Sequence, residues 1–278
     1  MPLLAWIVLC AALGGIASAA FAVVFLWIPE QRAARLLPHL VSFATGALLG
    51  AALLALLPEA IEGAGVRGAH AIGFTLVAGL GVFFVIEKLV LWWHARAGNG
   101  DAQGGPHERH AHTGHGHGGH GHAGHDHARA HASGTLVLVG DSIHNALDGV
   151  LIAAAFLTNV PLGLVTTIAV AAHEIPHRVG DFAILVHAGL SRPRALLLNL
   201  ATGCASVIGA IAAYFGLQAT LGVLPYALTF AAAGFLYIAV AGLIPGLHRR
   251  ADPRASAAQV ALISCGVGLI ALAERLIG

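Results

Sequence analysis

Apolar residues run through this chain in long blocks, not in the half-polar rhythm of soluble helices. Eight blocks are legible: 3–28, 36–58, 69–94, 135–158, 161–188, 195–215, 222–246 and 257–277. Each is near the ~20 residues that a helix needs to cross ~30 Å of hydrocarbon. Breakers or charges separate them: Pro29-Glu30-Gln31-Arg32, Glu62-Gly63, Asn159-Val160-Pro161, Ser191-Arg192-Pro193-Arg194, and Arg249 to Arg254 around Pro253. The short break between the fourth and fifth blocks predicts a tight antiparallel hairpin. One segment departs from the pattern. Residues 99–133 are rich in Gly and His with no apolar periodicity, so they cannot bury a core and are expected to be disordered. The expected organisation is therefore spans one to three over 1–98, a His-rich cytoplasmic loop over 99–133, and spans four to eight over 134–278. The two outer parts form one membrane domain.

The blocks also repeat. Phe43 to Pro58 ends in Leu56-Leu57-Pro58, and Phe230 to Pro245 ends in Leu243-Ile244-Pro245. The same offset of 187 places Gly79 and Gly81 on Gly266 and Gly268, and Glu87-Lys88-Leu89 on Glu274-Arg275-Leu276. Span two thus pairs with span seven, and span three with span eight, in opposite directions. The expected fold is all-α, with eight transmembrane helices. Helices 1–3 and 6–8 form an inverted repeat around a central helix 4/5 pair, as in many secondary transporters.

Composition agrees. The 278 residues are 58% hydrophobic and 10% charged, with 36 Gly, and the mean hydropathy is +0.82. That leaves too little polar surface for a soluble domain. Small residues suit close helix packing in lipid. The net charge of +1 carries no nucleic-acid signal. Basic residues set the orientation. With the N-terminus outside, the cytoplasmic loops hold Arg32, Arg35, Arg96, Arg109, Arg129, Arg192, Arg194, Arg249, Arg250 and Arg254, and the outer side holds only Arg67 and Arg275. An even span count puts the C-terminus outside as well. The first block has no basic flank and is too long for a signal segment, so it reads as a retained span. Cys10, Cys204 and Cys265 lack CxxC spacing and read as small buried residues.

The candidate chemistry lies in spans four and five. His144-Asn145-Ala146-Leu147-Asp148 and His173-Glu174-Ile175-Pro176-His177 sit at bilayer depth. A charge there costs roughly 2.5–3.5 kcal/mol on insertion scales, so a functional site is the default reading. Residues four apart share a helix face. His144 with Asp148 and His173 with His177 therefore offer one ion a four-ligand shell of nitrogen and oxygen, which suits zinc and its neighbours. Asn145 and Glu174 sit one position along and either share a second ion or tune the first. Pro176 removes a helical hydrogen bond beside the site. Glu59 closes span two, as an outer-mouth carboxylate or a plain helix end. Glu87 and Lys88 read as structural. The ten loop histidines (His107, His110, His112, His115, His117, His120, His122, His125, His127 and His131) read as an auxiliary, adaptable metal-binding tract.

With these residues on the page, the chain resembles the ZIP (Zrt/Irt-like) family of divalent metal transporters over nearly its whole length. The resemblance rests on His-Asn-Ala-Leu-Asp-Gly (144–149), His-Glu-Ile-Pro-His-Arg-Val-Gly-Asp (173–181), Leu-Leu-Pro-Glu-Ala (56–60), the His-rich loop and the eight spans. It implies that zinc is carried into the cytoplasm, with iron, manganese or cadmium as further candidate cargoes. It also implies metal ligands at His144, Asn145, Asp148, His173, Glu174 and His177, with His144, Asp148, His173 and His177 as the primary set. Two departures stand out. Arg178 replaces the Glu usual after the second His, and Ser206 stands nearest to where some members supply a carboxylate from span six. A cation beside the site weakens a second ion unless Arg178 pairs with Asp181, so one strong site is expected.

His-Glu-x-x-His is also the zincin signature, with Glu as general base. An intramembrane metalloprotease is thus an alternative, as is a cation-diffusion-type exporter with a His-rich loop. The Asn-plus-Asp constellation, the Pro inside the motif and the repeat favour a transporter working by alternating access, not an enzyme. The expected partners are a divalent ion and the bilayer, without nucleic acid and with a homodimer left open. The short Ala/Leu/Gly-rich chain points to a bacterial inner membrane.

Overall fold

A computed structural model of the chain describes residues 2–21, 28, 30–99, 123–247 and 252–277. Among the described residues there are helices and short turns and no strands. Helix α1 spans Leu3–Phe21; residues 22–27 of the first expected span lie outside the described residues. Helix α2, Glu30–Gly50, runs through a π-helical turn at Ala51–Leu56 into α3, Leu57–Asn99. The break expected at Glu62-Gly63 falls at Gly65, whose φ of 66° is left-handed. Glycine enters that region without a Cβ clash, so the chain changes direction there without a loop.

Helix α4 covers Ala123–Thr158 and α5 covers Val160–His187. The start of α4 lies inside the stretch expected to lack structure. After Gly124 the sequence His125-Asp126-His127-Ala128-Arg129-Ala130-His131-Ala132 contains neither Gly nor Pro, and Gly134 alone stands between it and span four, so a helix propagates back from span four past one weak position. His107, His110, His112, His115, His117, His120 and His122 lie outside the described residues. His125, His127 and His131 fall on the first turns of α4, where only the backbone is described.

The hairpin between α4 and α5 has a single linking residue. Asn159 is extended, with φ −158°, and its side chain accepts from the Leu162 amide at 2.7 Å. That is an N-cap, satisfying one orphan donor of the new helix. Pro161, in the first turn, costs no hydrogen bond there. Asn159 Nδ2 also donates to Glu59 Oε1 at 3.1 Å. Glu59 thus ties the end of span two to the hairpin.

Helix α6 is Arg192–Gln218, α7 is Leu221–Leu247 with a π-helical turn at Ile238–Leu243, and α8 is Pro253–Ile277. Among the described residues, five helical runs are long and apolar enough to cross a membrane: Leu3–Phe21, Arg35–Leu89, and the three last helices. Helices α4 and α5 are outside that set, and they carry the polar residues of the candidate site.

Those two helices are held centrally. Helix α4 packs along α6, α2 along α8, and α3 along α7. The α4–α6 crossing is close because each helix sets a glycine against the backbone of the other. A Cβ on Gly149 would strike the backbone of Ser206, and one on Gly209 would strike the backbone of Ala146. The buried core is rich in alanine and includes Ile152, Phe156, Val165 and Phe235, the short-side-chain packing that lets helices approach in lipid. Of the cysteines, Cys10 is buried as expected, whereas Cys204 and Cys265 are exposed on outer helix faces.

Candidate metal centre

Four donor atoms converge between α4 and α5. His144 Nε2 lies 3.3 Å from His173 Nε2, 3.5 Å from Glu174 Oε1 and 3.8 Å from Asp148 Oδ2. His173 Nε2 lies 3.2 Å from Asp148 Oδ2 and 3.7 Å from Glu174 Oε1. All four atoms lie within 4.8 Å of one another. A tetrahedral zinc with ~2.0–2.2 Å bonds to nitrogen and oxygen has edges of about 3.4 Å, so these separations bracket that figure.

The hydrogen bonds fix which atoms face the centre. His173 Nδ1 stands 3.1 Å from the Ala169 carbonyl oxygen. A carbonyl only accepts, so Nδ1 carries the proton and the neutral ring presents a bare Nε2. That bare nitrogen faces Asp148 Oδ2, which is also an acceptor. Asp148 Oδ2 and Glu174 Oε1 are buried and have no hydrogen-bond donor among the described residues. Burying unpaired acceptors is costly, and a cation in their midst satisfies all of them at once.

His177 sits differently. Its Nδ1 lies 2.9 Å from Asp181 Oδ2 and 3.8 Å from Asp141 Oδ1, and its side chain is 40% exposed. These three residues form a second cluster. The His177 ring still stacks on His144, with centroids 5.4 Å apart. The structure therefore groups His144, Asp148 and His173 with Glu174, and groups His177 with Asp141 and Asp181. The reason is helical. Positions 173, 174 and 177 fall within about 100° of arc on α5, so the face is shared, and Asp181 holds His177 one turn further along. Helix α5 runs without a break through Pro176.

Asn145 is occupied. Its Nδ2 donates to the Asp141 carbonyl at 2.8 Å and to Asp141 Oδ1 at 2.9 Å, and its Oδ1 accepts from Arg178 Nη2. Arg178 is fully buried. It pairs with Asp141 Oδ2 at 2.7 Å and with Glu174 Oε2 at 2.9 Å, and Asp181 is engaged by His177. Sequence reasoning missed Asp141, Asn199 and Thr202, all of which meet Arg178 or its partners. Asp141 was legible in principle: it precedes Asn145 by four and Asp148 by seven, on the same face of α4. Ser206 is buried at the α4–α6 crossing.

An open cavity of about 210 Å³ reaches the cluster. His144 and His177 line it from one side, and Phe83, Glu87, Tyr237 and Gly242 from the other. Glu87 accepts from the Tyr237 hydroxyl, while Lys88 lies 5.4 Å over the Phe84 ring. Neither contact is the pairing of Glu87 and Lys88 with each other, or with Glu274 and Arg275, that their sequence positions suggest.

Comparison with known proteins decides the family. The model of the ZIP zinc transporter family matches residues 3–274. The chain belongs to the ZIP zinc transporter family. It is 33% identical over 261 residues to zinc transporter ZIP13 of Homo sapiens, covering 85% of this chain and 70% of that protein. The Pongo abelii ZIP13 is 33% identical over 251 residues, with coverages of 85% and 66%. Zinc transporter SLC39A7 of Rattus norvegicus is 31% identical over 331 residues, with 94% and 70%. The chain spans about two thirds of the length of these relatives. As a ZIP protein it is an integral, multi-pass membrane protein, and the divalent metal is its cargo, not a resident cofactor.

Proposed function

We propose that this chain carries zinc into the cytoplasm through eight membrane spans by alternating access, binding the ion between α4 and α5. The observation that carries the reading is the set of four mutually facing atoms, His144 Nε2, His173 Nε2, Asp148 Oδ2 and Glu174 Oε1, of which the last three belong to buried residues and the two carboxylate oxygens lack a donor among the described residues. His177 is the next donor along the face, reached through the cavity that it shares with His144. Asn145 contributes from outside, by holding Asp141 and Arg178.

The internal repeat draws support from packing. The π-helical turns at Ala51–Leu56 and Ile238–Leu243 stand at the offset of 187 seen in the sequence. A Cβ on Gly266 would meet Phe43 and Gly46, and one on Gly79 would meet Phe230 and Ala233. That is the same pair of contacts, moved by the same offset. Two matching halves around the α4/α5 pair suit a mechanism in which one body moves against another about a midplane site.

The zincin alternative is weaker. Its general base would be Glu174, but Glu174 Oε2 is held by Arg178 and Oε1 faces the metal cluster. Neither oxygen is placed to activate a separate water. The compact Ala/Leu/Gly-rich chain keeps a bacterial inner membrane, with both termini outside, as its proposed setting, although the relatives above are animal proteins. The loop histidines are proposed to buffer or sense metal on the cytoplasmic side; replacing them should leave basal uptake measurable.

The test is uptake of zinc into vesicles holding the purified chain, with wild type compared with His173→Ala. Zinc accumulation by wild type and its loss in the variant is expected. Wild type that moves no zinc, or cleaves a protein substrate in a Glu174-dependent way, would sink the reading.

A further inference from the structure

Arg178 is buried at the centre of an all-oxygen shell. Its Nε lies 2.9 Å from Glu174 Oε2. Its Nη1 lies 2.7 Å from Asp141 Oδ2 and donates to Asn199 Oδ1 at 2.9 Å, to the Asn199 carbonyl at 3.2 Å and to Thr202 Oγ1. Its Nη2 donates to Asn145 Oδ1. Three of these oxygens belong to the polar faces of α4 and α5: Glu174 Oε2, held as an ion pair, and Asp141 Oδ2 and Asn145 Oδ1, which accept hydrogen bonds. Carboxylate and amide oxygens are what hard divalent ions collect, six or more at a time. Here a planar fork of donors fixed to the chain has collected them already.

We infer that Arg178 sets the metal preference of the site. This rests on the transporter reading above. By withdrawing three oxygens, Arg178 leaves the ion four donors: two imidazole nitrogens and one oxygen each from Asp148 and Glu174. Four corners of mixed nitrogen and oxygen suit zinc, whereas manganese favours an octahedral oxygen shell. The guanidinium charge also stands where a second divalent ion would need Glu174 and Asp141, so the site holds one ion. Arg178 acts through the carboxylates it holds and touches no metal itself. It is a positioning residue, and selectivity, not activity, is its readout.

The experiment has two arms. In the first, the 278-residue chain with its ten loop histidines replaced by Ser is loaded with zinc. Bound metal is counted, and X-ray absorption is recorded at the zinc edge. One tightly bound zinc with four N/O neighbours at about 2.0–2.2 Å and no metal–metal scattering is expected. Two tightly bound ions, or a six-coordinate zinc, overturns the assignment; this arm needs no change at Arg178. In the second arm, zinc and manganese uptake into vesicles are compared for wild type, Arg178→Gln and Arg178→Lys. The manganese-to-zinc ratio should rise about tenfold in the Gln variant, and less in the Lys variant, which keeps the charge and loses the fork. A ratio unchanged while both uptakes fall together overturns the role. Wild type that binds no zinc overturns this inference and the transporter reading alike, whereas two bound zincs overturn the role of Arg178 alone.

Discussion

His173 Nε2 faces Asp148 Oδ2 across 3.2 Å, and the other nitrogen of the same ring is pinned to the Ala169 carbonyl. The backbone of α5 therefore aims a lone pair of α5 at a carboxylate of α4. Such a pair of acceptors is unfavourable alone and favourable around a cation. Deleting either partner should remove transport. His173→Ala and Asp148→Ala should each lower zinc affinity by more than the roughly 10–100-fold that loss of an outer partner costs. Isothermal titration of folded, monodisperse protein checks this. Affinity within threefold of wild type in either variant would show that the ion sits elsewhere.

Zinc loading should be acid-sensitive. The imidazoles of His144 and His173 bind metal through a bare nitrogen, so protons compete with the ion for both rings. The sign follows directly. As pH falls, the protonated fraction grows and apparent affinity drops; at fixed pH, binding releases protons. Titrations in buffers of different ionisation enthalpy read the proton count. A binding constant flat between pH 7.5 and 5.5 would contradict imidazole ligation.

Asp181 should matter without touching the ion. Its carboxylate holds His177 Nδ1 at 2.9 Å, which assigns the proton to that nitrogen and directs Nε2 away from Asp181, as carboxylate partners do for metal-binding histidines. Asp181→Asn should slow zinc uptake by roughly tenfold while leaving the number of bound ions unchanged. Loss of the bound ion itself would mean that Asp181 is a direct ligand.

Much of this was legible in the chain. The apolar blocks gave the helices because a membrane span must be long and nearly continuous. The i,i+4 spacing put His144 beside Asp148 because helix geometry leaves no choice. Other features were not legible, for identifiable reasons. Glu174, and not His177, lies with His144, Asp148 and His173, because the two directions on α5 differ by only about 60° and the neighbours decide between them. The setting of Arg178 was not legible either: with Asp141 of α4 and Asn199 of α6 the guanidinium bridges α4, α5 and α6. A partner contributed by a third helix has no period in the sequence. The helical start at Ala123 was hidden by histidine content, which signals metal more strongly than it signals backbone state.

The α4–α6 crossing should be intolerant of any side chain. Gly149 lies against the backbone of Ser206, and Gly209 lies against the backbone of Ala146. Backbone cannot rotate aside as a side chain can, so a new methyl forces the helices apart. Ala146 is two residues from His144 and from Asp148, and separation there shifts both donors relative to α5. Gly209→Ala should destabilise the protein by about 1–3 kcal/mol, visible as a lower melting temperature in detergent. It should also weaken zinc binding, although Gly209 lies on a helix with no proposed ligand. Gly216, on the same helix, has open space around its Cβ position, and Gly216→Ala should leave stability and binding unchanged. If both substitutions were equally tolerated, close approach at this crossing would not be what holds α4 in place.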